Sequence, residues 1–163
     1  ILGAEGAELA ALIDKVANSV RAGESTPVFA QGMGLERGVT GYSFHTAPVA
    51  LHAWLAHPGN YRAAVLAAIE CGGDTDTVAA ITGAIAGAGT GPDGLPPEWL
   101  HGLAESPHTV AWMEQLAQSL ATVRPDYVGS SAIAAPAIPL LARNIFFFAV
   151  VLLHGFRRLL PPY

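Results

Sequence analysis

Apolar residues recur at helical spacing near the start of the chain. Counting from residue 9, they follow the spacing i, i+3, i+4, i+7 and i+11, and charged residues fall off this stripe. A period of 3.6 residues predicts an amphipathic helix that buries one face. The predicted helix runs from about Ala4 to Arg21, and its apolar stripe consists of Leu9, Leu12, Ile13, Val16 and Val20.

Turn residues divide the rest of the chain into further helices. Pro48 after Thr46 is typical of a helix start, and Asn60, Asp74 and Ser106 are typical helix caps. The predicted helices cover residues 49–56, 61–70, 75–88, 96–103, 106–120 and 139–160. Loops are predicted at 23–40, 89–96 and 124–131. A short strand at 39–44 is the weakest of the predicted elements. Because alternating Val- and Thr-rich runs are few, the pattern predicts an all-α fold.

Residues 75–88 are almost all small. Ala79, Gly83 and Gly87 lie four residues apart on one helical face, and glycine inside a helix costs about 1 kcal/mol relative to alanine. Close approach of a neighbouring helix is the simplest compensation. We therefore expect the central buried helix here, within a single all-helical domain of residues 1–163 in which residues 131–163 form a C-terminal apolar helix and tail.

The composition supports a folded domain and narrows its function. The chain has 163 residues, of which 52% are hydrophobic and 13% charged, and this is enough for one core. The formal net charge of −5 disfavours binding to phosphate backbones, so no nucleic-acid partner is expected. Cys71 is the one cysteine, which excludes an intrachain disulfide and fits a reducing, cytoplasmic location.

The C-terminal apolar segment contains an uninterrupted run of nine apolar residues, 145–153. A membrane span needs about 20, so the run predicts a buried core helix and no membrane span. The alternative is a membrane-surface helix in which Arg157 and Arg158 face lipid headgroups.

One short segment concentrates oxygen ligands. In Gly72-Gly73-Asp74-Thr75-Asp76-Thr77, two carboxylates and two hydroxyls follow a glycine pair. Mg²⁺ prefers oxygen ligands, so Asp74, Asp76 and Thr77 are candidate metal ligands. Spacing alone favours a simpler alternative, in which both acids cap the following helix and interact with its dipole.

Three other known motifs fit these residues less well. Asp74, Asp76 and Val78 match the Asp-x-Asp-x-Thr/Val signature of haloacid-dehalogenase-like phosphatases, but that signature follows a strand and this one follows a predicted helix. An EF-hand needs a further ligand and a glycine where Val78 and Ala79 stand. The glycine-rich residues 87–91 lack the Lys-Ser/Thr of a P-loop.

The histidines and the cysteine carry weaker signals. His57, His101 and His108 lie near predicted helix ends and are expected to be solvated, whereas His154 is expected to be held by packing neighbours. Cys71 is expected to be a small buried residue rather than a nucleophile, because no activating cation lies beside it in the sequence.

Residues 68–88 closely resemble the C-terminal signature of the ADP-ribosylglycohydrolase family, in which a GGDTDT run is followed by a Gly/Ala-rich helix. Upstream, His45-Thr46-Ala47-Pro48 resembles the family's His-Thr/Ser-x-Pro helix start. Downstream, Leu95-Pro96-Pro97-Glu98-Trp99 resembles its Ile-Pro-x-x-Trp. Residues 143–163 are similar to the tail of some bacterial members.

The resemblance implies an all-α, orthogonal multi-helix bundle that hydrolyses the glycosidic bond between ADP-ribose and a protein side chain, or acts on related ADP-ribosyl compounds. It also implies two Mg²⁺ ions, or Mn²⁺ in some members. By motif position, Asp74, Asp76 and Thr77 match the family's C-terminal metal ligands, with Asp76 bridging the ions. The resemblance gives such ions the role of orienting ribose hydroxyls and a water beside the anomeric carbon.

The family's other half-site, an N-terminal Ser/Thr-Asp-Asp motif, has no counterpart here, because the chain contains no Asp-Asp pair. The resemblance therefore implies the C-terminal portion of such an enzyme, with an N-terminal half as its partner. The alternative is a non-catalytic helical interaction module, which an exposed apolar face would favour. The substrate linkage and the catalytic acid or base are not specified by these residues.

Overall fold

The computed structural model describes residues 4–103, 106–122 and 136–159, with side-chain burial from residue 6 onward. Within these ranges the chain forms eight helices and no strand, which confirms the predicted all-α fold. The helices are α1 Ala4–Arg21, α2 Thr26–Gly32, α3 Ser43–Ala56, α4 Tyr61–Ile69, α5 Thr75–Thr90, α6 Pro97–Gly102, α7 Val110–Ala121 and α8 Ala137–Leu159.

The chain divides into two compact units, Ile1–Pro97 and Glu98–Tyr163. The first contains α1 to α5, and the second contains α7 and α8. The assignment of residues 1–163 to a single domain stays a prediction.

The centre of the N-terminal unit is α3, which packs against α1, α2, α4 and α5. The buried core around it consists of Val16, Phe29, Ala30, Leu35, Val39, Val49, Ala50, Ala53, Ala67, Ala68 and Val78. The prediction that α5 is the central helix is wrong, because α5 buries only one face, through Val78, Thr82, Gly83 and Ala86.

The segment before α3 differs from its prediction. The predicted loop 23–40 contains α2, which is held by the fully buried ring of Phe29. The predicted strand at 39–44 is reduced to one isolated bridge at Val39. α3 begins at Ser43, six residues early, and Pro48 lies inside it. The hydroxyl of Thr46 supports this first turn by donating to the Tyr42 carbonyl at 3.1 Å.

α5 packs closely against its neighbour α4. The Asn60 side chain caps α4 by accepting from the Ala63 N–H at 3.1 Å. A Cβ added at Gly83 would lie 2.9 Å from the Tyr61 hydroxyl, and one at Gly87 would lie 3.5 Å from the Tyr61 ring. The predicted reason for the small residues of α5 is therefore confirmed, because they admit an aromatic side chain of α4.

The C-terminal unit corrects two predictions. α7 is capped by Thr109, whose side chain accepts from the Trp112 N–H at 3.3 Å, rather than by Ser106. α8 contains no buried residue, so the prediction of a buried core helix is wrong. By length and composition alone, α8 is able to cross a membrane. The predicted loop 124–131 lies outside the described residues.

Candidate metal centre

The turn between α4 and α5 reverses the chain through the glycine pair of the GGDTDT run. After α4 ends, the Gly72 N–H donates to the Ile69 carbonyl at 3.0 Å. Gly72 and Gly73 then adopt φ angles of +69° and +77°, in the left-handed region that favours glycine. This reversal brings Asp74 to the N-cap position of α5.

The loop before α3 holds this turn from the other side. Val39 and Gly73 form an isolated parallel bridge. The Val39 N–H donates to the Gly72 carbonyl at 3.0 Å, and the Asp74 N–H donates to the Val39 carbonyl at 2.7 Å. A Cβ on Gly73 would overlap the Val39 carbonyl oxygen, and one on Gly38 would overlap the Gly73 nitrogen. Both positions therefore need glycine, and their close approach fixes the backbone at Asp74.

The two carboxylates of the run meet at this turn. Asp74 is half-buried and Asp76 is exposed, and the Asp74 side chain lies close enough to change the pKa of Asp76. Asp76 Oδ1 also accepts from the Thr77 N–H at 3.0 Å. Hydrogen bonding to the Asp74 side chain lowers the pKa of Asp76 below its ordinary value of 3.8, and the bond from the Thr77 N–H lowers it further. Two carboxylates this close repel each other unless a proton or a cation lies between them.

Helix capping explains one of these acids better than the other. Asp76 lies in the first turn of α5, where a negative charge interacts favourably with the helix dipole. Asp74 occupies the N-cap position, but its side chain makes no capping hydrogen bond. The capping alternative therefore does not account for the orientation of the Asp74 carboxylate.

Gly41 leaves space beside that carboxylate. A Cβ at residue 41 would lie 3.1 Å from Asp74 Oδ2, which is close enough to crowd this oxygen. Gly38, Val39 and Gly41 also belong to the site, although no motif in the sequence points to them. In the sequence this segment shows only two glycines and neither a helical nor a strand period. The pairing of Val39 with Gly73, 34 positions later, is therefore visible only in the structure.

The His-Thr-x-Pro segment is tied to the same loop. His45 Nδ1 lies 2.8 Å from Thr40 Oγ1, and the Thr46 hydroxyl oxygen, whose one hydrogen is shared with the Tyr42 carbonyl, lies 3.0 Å from the Thr40 carbonyl oxygen. Because Thr40 follows Val39 directly, these bonds connect the start of α3 to the bridge that holds Asp74.

The oxygen donors fit a hard divalent cation. Asp74, Asp76 and the exposed Thr77 hydroxyl are ligand types that Mg²⁺ and Mn²⁺ accept. In the part of the chain that the structure describes, no three His, Cys, Asp or Glu side chains form a group able to hold a metal ion. The segment before Asp74 is a helix, which excludes the phosphatase alternative because that motif requires a strand.

His52 belongs to the core. Its ring is fully buried and stacks on Phe29 with 4.5 Å between centroids. Its Nδ1 and Nε2 lie 3.1 Å from Thr26 Oγ1 and Ser19 Oγ, respectively. The Ser19 hydroxyl in turn donates to Glu24. Burial lowers the pKa of His52 below its ordinary value of 6.5, which favours a neutral ring satisfied by these hydroxyls.

The structure agrees with the prediction for Cys71 and corrects that for His154. Cys71 is half-buried, donates from Sγ to the Ala67 carbonyl at 3.3 Å, and has its pKa raised to about 11, mainly by burial. A thiol with so high a pKa is a poor nucleophile. His154 is exposed rather than packed, and its Nδ1 lies 3.2 Å from the Val150 carbonyl.

Comparison with known proteins agrees with the motif. The family model described as ADP-ribosylglycohydrolase matches residues 2–128. ADP-ribosylarginine hydrolase Tri1 of Pseudomonas putida (strain GB-1) is 40% identical over 82 residues, which are 50% of this chain and 20% of that relative. The chain thus spans about a fifth of the length of the relative. No solved structure matches the chain significantly. Because the family model covers most of its length, the chain belongs to the ADP-ribosylglycohydrolase family.

Proposed function

We propose that this chain contributes part of the active site of a metal-dependent hydrolase that releases ADP-ribose from modified protein side chains or related compounds. The observation that carries the proposal is the meeting of the Asp74 and Asp76 carboxylates at a turn whose glycines are sterically required. Family membership supplies the reaction class.

Asp74, Asp76 and Thr77 would hold the metal, Mg²⁺ or Mn²⁺, with two ions as the family resemblance implies. When bound, such ions supply positive charge that orients a water and stabilises a developing negative charge. The residues of this chain position the oxygen atoms that would bind the metal. The bridge of Val39 to Gly73 fixes the backbone of Asp74, and Gly41 keeps space open at Asp74 Oδ2.

Groups other than Asp74, Asp76 and Thr77 would supply the remaining ligands. Two carboxylates and a hydroxyl leave half of the positions of a six-coordinate Mg²⁺ to water or to other groups. No third acid or histidine joins them within the described ranges. We propose that an N-terminal half with a Ser/Thr-Asp-Asp motif completes the site, as the family resemblance implies.

Arginine-linked ADP-ribose is the substrate to test first, because the P. putida relative is named an ADP-ribosylarginine hydrolase. The test uses a chimera in which residues 26–90 of this chain, from α2 to α5, replace their counterparts in that relative. We expect Mg²⁺-dependent release of ADP-ribose from an ADP-ribosylated arginine substrate. Asp74→Asn or Asp76→Asn in the chimera should reduce turnover at least a hundredfold.

The isosteric Asn variants keep the size of each side chain, and circular dichroism confirms that each chimera is folded. Glu36→Gln serves as the matched control, because it removes one exposed negative charge elsewhere in the same unit. Full turnover in both Asp variants would contradict the assignment of these residues as metal ligands.

A non-catalytic helical interaction module is the second candidate function. It is favoured by the exposed apolar side chains of Leu66 and Ile69, at 42% and 43% exposure. They lie three residues apart on one face of α4, and contiguous apolar surface marks sites of association. A folded chimera that binds no Mg²⁺ and releases no ADP-ribose would support this candidate over the hydrolase.

A further inference from the structure

The C-terminal helix α8 exposes an unusual amount of apolar surface. It is 23 residues long, and the residues at its apolar positions include Ile138 at 82% exposure and Phe146 at 71%. No residue of α8 is buried. A series of exposed apolar side chains of this length indicates a binding surface.

Two of the three arginines of α8 lie on the side opposite to a set of apolar residues. Arg143, His154 and Arg158 follow the spacing i, i+11 and i+15, which places them on one side of a helix with 3.6 residues per turn. The opposite side carries residues at the spacing i, i+7, i+14 and i+18, namely Ile138, Ile145, Leu152 and Phe156. α8 is therefore amphipathic along most of its length.

The charge of α8 is opposite to that of the chain. α8 contains three arginines and no acidic residue, whereas the whole chain has a formal net charge of −5. A second copy of α8 packed on the apolar side would leave the arginines of both copies without anionic partners. An anionic lipid surface instead offers phosphates to the arginines and acyl chains to the apolar side.

The geometry favours a helix lying in the membrane plane over one crossing the bilayer. The uninterrupted apolar run, 145–153, covers about 14 Å at 1.5 Å per residue, and a hydrocarbon core is about 30 Å thick. A crossing helix would place Arg143 and Asn144 inside that core, whereas an in-plane helix directs Arg143 toward the headgroups.

We propose that α8 attaches this protein to anionic membranes by lying in the interface, with Ile145 and Leu152 toward the acyl chains and Arg143 and Arg158 toward the headgroups. This places the hydrolase family's signature turn on a chain that works at a lipid surface. The attachment is independent of the proposed metal centre and of its chemistry.

The experiment measures co-sedimentation of the chain with vesicles of phosphatidylglycerol and phosphatidylcholine in equal parts, compared with phosphatidylcholine alone. We expect binding to the anionic vesicles, and release in 1 M salt because electrostatic attraction to lipid is screened. Arg143→Gln with Arg158→Gln should lower the partition coefficient about 30-fold, since each surface arginine contributes about fivefold.

A matched pair of variants tests the orientation. Ile145 and Phe147 are 60% and 65% exposed, but they lie on opposite sides of α8, Ile145 on the apolar side and Phe147 on the cationic side. Ile145→Gln should lower the partition coefficient at least tenfold, and Phe147→Gln should lower it less than threefold. Circular dichroism confirms that both variants keep their helix content.

Three results would overturn the proposal. The first is equal binding to neutral and anionic vesicles with release by detergent alone, which indicates a crossing helix. The second is an equal loss of binding in Ile145→Gln and Phe147→Gln. The third is absence of vesicle binding, and a dimer in sedimentation equilibrium would then identify a second copy as the occupant of the apolar side.

Discussion

Gly73 holds the signature turn through a backbone contact, so adding one methyl group at this position should be unusually destabilising. The substitution is Gly73→Ala. Residue 73 has a φ of +77°, and its Cβ would overlap the Val39 carbonyl oxygen. The turn cannot relieve this overlap without separating Val39 from Gly73 and moving Asp74.

Two contributions set the magnitude. A non-glycine residue in the left-handed region costs about 1–2 kcal/mol. Separating the bridge weakens two hydrogen bonds, from Val39 N–H to Gly72 and from Asp74 N–H to Val39, each contributing about 0.5–1.5 kcal/mol. We expect Gly73→Ala to lower the free energy of unfolding by about 2–5 kcal/mol.

Gly59→Ala is the matched control. Gly59 has nearly the same φ, +72°, but no atom lies within 4 Å of the position of its Cβ. It should cost only the conformational part, about 1–2 kcal/mol. Urea unfolding followed by circular dichroism measures both variants. Equal losses of stability in the two variants would refute the argument, because the overlap with Val39 would then contribute nothing.

Two further predictions concern buried titratable groups. Because burial lowers the pKa of His52 below 6.5, the unfolded chain binds a proton more readily than the folded one. The stabilisation is therefore complete above pH 6.5 and is lost as the pH falls toward the folded pKa. The urea concentration at the midpoint of unfolding should decrease when the pH is lowered from 7.5 to 5, and His52→Phe should reduce this decrease by at least half. An unchanged pH dependence in the variant would contradict the assignment to His52. For Cys71, a pKa of about 11 instead of 9.0 predicts roughly hundredfold slower alkylation at pH 8 in the folded chain than in urea, and similar rates would show that the thiol is accessible and ionised.

The parts of the fold that depend on local patterns could be predicted from the sequence. α1 follows from its apolar period, and α4 follows from Asn60 and the apolar positions after it. The candidate ligands could be found because Asp74, Asp76 and Thr77 are contiguous in a specific run. The contact that explains the small residues of α5 could also be predicted, since glycine inside a helix requires compensation.

The remaining features depend on contacts between distant residues. The bridge of Val39 to Gly73 has no periodic signal, because it involves one residue on each side. α2 forms within a glycine-rich segment because the core accepts the ring of Phe29, and packing of this kind overrides local propensity. The exposure of α8 was missed because apolar composition alone does not say whether a protein core or another surface covers a helix.

The most direct test of the metal centre is paramagnetic broadening of the chain's NMR signals by Mn²⁺, which detects even weak binding. We expect selective broadening of the backbone amides of Gly41, Asp74, Asp76 and Thr77 at substoichiometric Mn²⁺. The broadening should disappear in Asp74→Asn with Asp76→Asn and should be reversed by excess Mg²⁺. Broadening centred on other acidic residues, or unchanged in the double variant, would contradict the claim that the GGDTDT turn binds the metal.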